Sequence, residues 1–173
     1  WHRGYPLELL PKRDYGRKVR RRLRVDVQAD FWNGDPDVDA VCRMEHAPQC
    51  DFDPGRFPMA ANRMGPFNSQ NTFLCGACLK DYFLFPHVGR MDDIWASYYL
   101  QAKGYRVVWN RASVFQRRNV HDLVQDMRQE YLGYENNLKL VRDLARDPDS
   151  ILAYLPGRSI WALRLYQRHF DQG

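Results

Sequence analysis

The stretch Gly89-Arg90-Met91-Asp92-Asp93-Ile94-Trp95 places two adjacent carboxylates at the start of an expected helix. Acids there are kept ionised by the exposed amides and positive end of the helix dipole. Such a pair can bind a metal, hold sugar hydroxyls, or take a proton from an acceptor hydroxyl. The plain alternative makes Asp92 the N-cap and lets Asp93 complement the dipole. Spacing alone leaves both open.

Further constellations could join them. In Asp35-Pro36-Asp37-Val38-Asp39 three acids stand at alternate positions. A strand would put all three on one face, and a turn would converge them on a cation or sugar. The competing reading is an Asp-Pro turn capping a short helix from Val38 to Met44. Asn68-Ser69-Gln70-Asn71-Thr72 offers a run of hydrogen-bonding side chains, suited to a polyhydroxylated ligand or to satisfying a turn. Cys75-Gly-Ala-Cys78 has CxxC spacing, and Cys42, Cys50 and His46 could complete a zinc site. The Cys42 to Cys50 spacing is not a common knuckle, and Cys75 and Cys78 lie in an apolar segment. Buried free thiols in a reducing compartment are therefore the preferred expectation.

The elements that must position these groups are legible in outline. Ile94, Tyr98 and Ala102 give the central helix a buried side, which Trp95 and Tyr99 widen, and Gly104 ends it before a strand at Tyr105 to Trp109. Val25, Val27 and Ala29 alternate with Asp26 and Gln28 as in a half-buried strand, running to a turn at Asn33-Gly34. Residues 45 to 66 read as an irregular connection beside a cleft, and Leu79 to Phe85 as a helical piece. From Asp122 to about Arg146 the pattern is helical, interrupted near Gly133. Its stripes are Leu123, Met127, Tyr131 and Tyr134, then Leu138, Val141, Leu144 and Ala145. Asp147-Pro148 restarts a short helix, and Trp161, Leu165 and Tyr166 begin a closing amphipathic segment.

At 173 residues the chain suits one domain or a piece of one. Hydrophobic content of 45% permits a core and argues against global disorder. No apolar run approaches the roughly 18 residues of a bilayer span. Between residues 12 and 24 eight basic residues face Asp14 alone, a local +7 that leaves −2 for the rest of a +5 chain. That run is a solvated face, or an anion site for phosphates, RNA or acidic lipid. The chain opens on Trp1 with motif-like residues at once, which points to a missing N-terminal part.

Together these blocks resemble nucleotide-sugar glycosyltransferases of the GT-A fold, of the STELLO-like type and the reversibly glycosylated polypeptides (UDP-arabinopyranose mutases). The carrying residues are Arg3-Gly4-Tyr5-Pro6, Asp35 to Ala40, Asn68-Ser69-Gln70-Asn71 and Gly89 to Ala96. Gln116-Arg117-Arg118-Asn119, then His121 and Asp122, extend the match on the STELLO-like side. The Gly-Arg-x-Asp-Asp-Ile-Trp block is the most specific.

The resemblance implies an α/β fold: the C-terminal half of a GT-A-like, Rossmann-related domain, with a short mixed sheet and flanking helices. Residues 1–145 would be its acceptor and catalytic part, and 146–173 a helical C-terminal tail. It implies transfer of a glycosyl group from a nucleoside diphosphate sugar to a hydroxyl acceptor. A UDP-sugar mutase-like activity, or a non-catalytic scaffold or polyanion-binding module using the basic run, are the alternatives. Asp92 or Asp93 would hold or deprotonate the acceptor hydroxyl, with Asp93 favoured because Asp92 is expected to be occupied as the cap. Arg3, Arg90 and Arg118 are the expected diphosphate contacts, and Asn68, Gln70, Asn71, Asp37, Asp39 and Trp95 the remaining substrate contacts. A divalent cation, Mg or Mn, would be held mainly by a missing N-terminal half, with His121 as a further ligand. Asp35-Pro-Asp37 has the letters of an Asp-x-Asp metal motif but stands in the wrong order for that role. The expected location is cytoplasmic, cytosolic or membrane-peripheral; a Golgi-lumenal place stays open if upstream sequence is missing.

Overall fold

The structure, a computed structural model, describes residues 1–12 and 19–171; part of the basic run, residues 13–18, lies outside the described residues. The fold is mixed α/β, built on a three-stranded sheet in the order β2-β1-β3. Strand β1 (Val27–Gly34) lies in the middle. It pairs antiparallel with the short β2 (Thr72–Leu74), Val27 opposite Leu74, and parallel with β3 (Val107–Gln116), Val27 opposite Val107. The expected start at Val25 is too early: that side chain is exposed, and the ladder begins at Val27. The strand expected to end at Trp109 continues to Gln116, across a register shift between Asp30 and Trp32.

Between β1 and β3 the chain passes through α1 (Ala40–Glu45), β2 and α2 (Asp92–Ala102). Every residue of α2 from Asp93 to Leu100 is buried, so the one-sided stripe expected from Ile94, Tyr98 and Ala102 was too narrow. The reason is position. Leu100 packs into the sheet-side cluster with Val27, Ala29, Phe67 and Val107, while Ile94, Trp95 and Tyr98 belong to a second cluster with Leu140 and Leu144. A helix wedged between two cores is buried on every side rather than along one stripe. Each large side chain fully buried there stabilises the fold by about 1.5–3 kcal/mol. The helix ends as expected: Lys103 is its C-cap, and the Gly104 amide donates to the Gln101 carbonyl.

Helix α3 (Leu123–Leu144) starts where Asp122 accepts from the Gln125 amide, and it is unbroken. Gly133 marks a close approach rather than the expected interruption: a Cβ there would stand 2.4 Å from the Met91 sulfur. The buried face of α3 is Glu130, Gly133, Asn137, Leu140 and Leu144; Tyr131, expected in the core, is exposed. Leu79–Phe85 is not helical; a short 3-10 turn at Gly76–Cys78 precedes an irregular stretch. Pro148–Ala153 forms a 3-10 turn capped by Asp147, and α4 (Gly157–Asp171) closes the chain. Trp161 and Leu165 are exposed on α4; Ser159 and Leu163 are its buried residues. Ile151, Leu155 and Leu163 join the Trp95 cluster, so the C-terminal segment packs on the same core. No helix of the described residues is long and apolar enough to cross a membrane.

Candidate functional site

The site is organised around Arg3, which is 5% exposed. An isolated bridge from His2 to Val38 lays the N-terminal segment beside the turn before α1, and the Arg3 amide donates to the Asp37 carbonyl at 3.0 Å. That contact turns the guanidinium inward. Its Nε donates to both Asp37 oxygens, at 3.2 and 3.1 Å. Its Nη2 lies 3.0 Å from Asp37 Oδ2 and 3.1 Å from Asp93 Oδ1. Nη1 donates to the Arg90 carbonyl, tying the loop before α2 into the network. Such forked, charge-assisted bonding is the use for which arginine is preferred over lysine.

Both carboxylates have further partners. Asp37 accepts from the Asn68 amide at 2.7 Å, and Arg118 Nη2 lies 3.3 Å from its other oxygen. Asp93 Oδ2 accepts from the Ser69 backbone amide at 3.0 Å and its hydroxyl at 3.3 Å. Arg118 also donates to the Gln70 side-chain oxygen at 3.3 Å, and Arg43 pairs with Asp35 at 2.8 Å. Arg3, Arg43 and Arg118 thus balance Asp35, Asp37 and Asp93. Burial, the largest single effect, pushes the Asp37 carboxyl up, but the charge and hydrogen bonds of Arg3, with the smaller effects of His2 and Arg118, together outweigh it and hold that carboxyl well below the ordinary carboxylate range. Burial lowers the Arg3 guanidinium, and Asp37 and Asp93 more than reverse that effect. Burial likewise lowers His2, so the neutral ring donates from Nδ1 to the Arg3 carbonyl at 2.7 Å.

The two central acids differ in position and partners. Asp92 makes no side-chain cap bond: Met91 occupies the N-cap position and Asp92 is the first helical residue. Its side chain is partly exposed, and burial raises its carboxyl above the ordinary value, with the Asp93 amide pulling partly the other way. Asp93 is 4% exposed and committed to Arg3 and Ser69. Asp92 is therefore the more accessible of the two carboxylates, and Asp93 the one held by partners.

A second polar network, unforeseen in the sequence, adjoins the first. Glu130 of α3 is fully buried; it accepts from Arg90 Nε at 2.8 Å, the Ala40 amide at 2.7 Å and the Tyr134 hydroxyl at 2.6 Å. Arg90 also pairs with Asp126 at 3.2 Å, and Asp126 bonds His121 Nδ1 at 2.9 Å. Arg90 and His121 are thus placed together through Asp126. The position of Glu130 four residues after Asp126 and four before Tyr134 was the available signal, masked by the apolar stripe beside it.

Other expected contacts have structural duties. Trp95 is completely buried and donates to Asn137 at 2.9 Å, out of reach of a substrate. Asp39 caps α1, accepting from the Cys42 amide at 2.9 Å, which settles the Asp-Pro segment as a turn and cap rather than a strand face. Asn71 donates to the Phe31 carbonyl and the Ser113 hydroxyl, bracing the sheet. The four thiols are free, and they sort to opposite ends of β1. Cys50 bridges Gly34, whereas the Cys75 amide donates to the Asp26 carbonyl, so the zinc arrangement considered from sequence is not assembled. Arg20, Arg21, Arg22 and Arg24 are exposed. Among the described residues no three His, Cys, Asp or Glu side chains cluster as metal ligands.

Beside the Arg3 network lies a cavity of about 360 Å³ whose walls include His2, Trp32, Phe67, Asn68 and Trp109, with the irregular connection supplying Met59 to Ala61. The connection thus does border a cleft. Both indole N–H groups at the cavity are spent on backbone carbonyls, Trp32 on Asp35 and Trp109 on Pro66. What the walls offer is chiefly apolar surface, part of it aromatic, with Asp30 and Asn68 among the polar groups. No family model matches the chain, and no curated protein matches it by sequence.

Proposed function

We propose that this chain is the acceptor-side part of a glycosyltransferase that uses a nucleoside diphosphate sugar and a hydroxyl acceptor. The observation that supports this best is convergence. Arg3, Asp37, Asn68 and Asp93 come from four separate blocks of the resemblance, up to 90 residues apart, and meet in one buried network. An accidental likeness of letters gives no reason for that meeting.

In this reading Arg3 and Asp93 are a rigid frame that fixes the first turn of α2. Asp92 stands on that frame, partly open to solvent, and accepts the proton of the incoming hydroxyl. Its raised carboxyl matches a group that exchanges protons better than a deeply depressed one would. The aromatic walls around Trp109 and Phe67 suit the C–H face of a sugar ring. Asn68, which lines the cavity and donates to Asp37, links ring to frame. Among the described residues Asp37 and Asp93 are both committed to Arg3, so this pair is not free to hold the divalent cation expected from the resemblance. The chemistry assigned to this chain is accordingly positioning and proton transfer.

The test measures nucleoside diphosphate release from a panel of sugar nucleotides, with Mn or Mg and simple sugar acceptors, on the longest natural chain containing these residues. Asp92→Asn should lower turnover by about 10²–10⁴-fold with the fold intact by circular dichroism. Unchanged turnover removes the role from Asp92. Failure of every sugar nucleotide to bind in the presence of metal overturns the transferase reading itself.

A further inference from the structure

Away from the Arg3 network, at the far end of β1, Cys75 and Cys78 flank a single 3-10 turn, and the Cys78 amide donates to the Cys75 carbonyl at 2.9 Å. Their sulfurs stand 3.2 Å apart. The two differ in access: Cys78 is fully buried in the sheet-side cluster, and Cys75 is partly exposed. Gly76 and Ala77 between them are exposed, and the space where a Gly76 side chain would sit is open. One sulfur can therefore be approached from solvent while the other waits behind it.

We propose that Cys75 and Cys78 form a thiol–disulfide exchange site that reacts with small-molecule disulfides of the glutathione class. Cys75, as thiolate, attacks one sulfur of the incoming disulfide; that S–S bond breaks and the first thiol departs, taking a proton from solvent. Cys78 then loses its proton to solvent and attacks Cys75 Sγ, forming the internal disulfide and releasing the second thiol. Two protein thiols and one small disulfide become one protein disulfide and two small thiols, a two-electron exchange. The order follows from access and proton affinity together. Burial, reinforced by the hydrogen bond with Cys75, pushes the Cys78 thiol up to about 12, so it remains a thiol until its neighbour has been modified. The Cys78 thiol is meanwhile held on the Asp26 carbonyl at 3.4 Å, within reach of the Cys75 sulfur.

The test incubates the whole chain with oxidised glutathione, quenches in acid, alkylates, and maps the tryptic peptide 64–80, which holds both cysteines. Wild type should give that peptide short of two hydrogens with no glutathione retained. Cys78→Ser should accumulate glutathione on Cys75, and Cys75→Ser should leave Cys78 an unmodified thiol. A wild-type peptide that retains glutathione, or stays a dithiol while Cys50 is modified, overturns the proposal. So does Cys78 reacting in Cys75→Ser as fast as in wild type.

Discussion

Replacing Arg3 with methionine tests the frame most directly, because the change keeps an unbranched apolar stem and removes the guanidinium. Two carboxylates lose their shared cation: Asp37, which is 2% exposed, and Asp93. Removing one partner of a buried ion pair costs about 3–5 kcal/mol, chiefly because the charge left behind is uncompensated. Here neither acid is stripped bare. Asp37 keeps Arg118 at 3.3 Å and Asn68 at 2.7 Å, and Asp93 keeps the Ser69 amide at 3.0 Å. The expected loss therefore sits at the low end, about 3 kcal/mol at pH 7. The pH dependence has a definite sign. Arg3 depresses the Asp37 carboxyl in the folded state, so this pairing stabilises fully above the ordinary carboxylate pKa of about 4 and is lost as pH falls toward the depressed value. Urea unfolding of both proteins should show the gap widest near pH 7 and narrowing as pH falls, first as the unpaired acid of the variant takes up a proton and then, below about pH 4, as the wild-type pairing is lost. A loss under about 1 kcal/mol, or a gap that ignores pH, would refute the account of Arg3 as a buried counter-ion.

Asp92→Asn carries a second readout. Because burial raises this carboxyl, the ionised form opposes folding above its ordinary pKa, so the variant should be more stable than wild type near pH 7 and equal to it in acid, by thermal unfolding. Gly89→Ala should cost at least about 1–2 kcal/mol in urea unfolding, since the backbone sits at φ +59° and a Cβ would lie 2.3 Å from the Gln129 carbonyl oxygen. Trp95→Phe should lose about 1–3 kcal/mol by stranding the Asn137 oxygen, and should leave the KM for any sugar nucleotide unchanged; a raised KM restores Trp95 to the substrate.

The strongest local signals were legible. Gly104 ended the central helix, Asp122 opened α3, and the alternation at Val27 and Ala29 marked the central strand. The acid pair and Arg3 were singled out from their blocks, but which of the two acids is buried against Arg3 was not legible. Asp92 is a good capping residue by type, yet the 3-10 turn at Gly89–Met91 delivers it already inside the helix. Glu130, Asn137 and Gly133 were missed for a common reason. Periodicity follows apolar residues, and the face of α3 that turns inward toward Met91, Trp95 and Arg90 is partly polar because those neighbours supply its partners. Only the tertiary pairing reveals it.

Glu130 holds α1 through the Ala40 amide, α3 through Tyr134 and the acid-bearing loop through Arg90. One carboxylate is thus a rivet through three pieces of the molecule. Swinging the Gly89–Met91 segment outward would strand a buried negative charge and loosen two helices at once. This segment accordingly cannot behave as a lid that closes over a guest: it is an anvil already in place, and any ligand that meets it has to be brought to it.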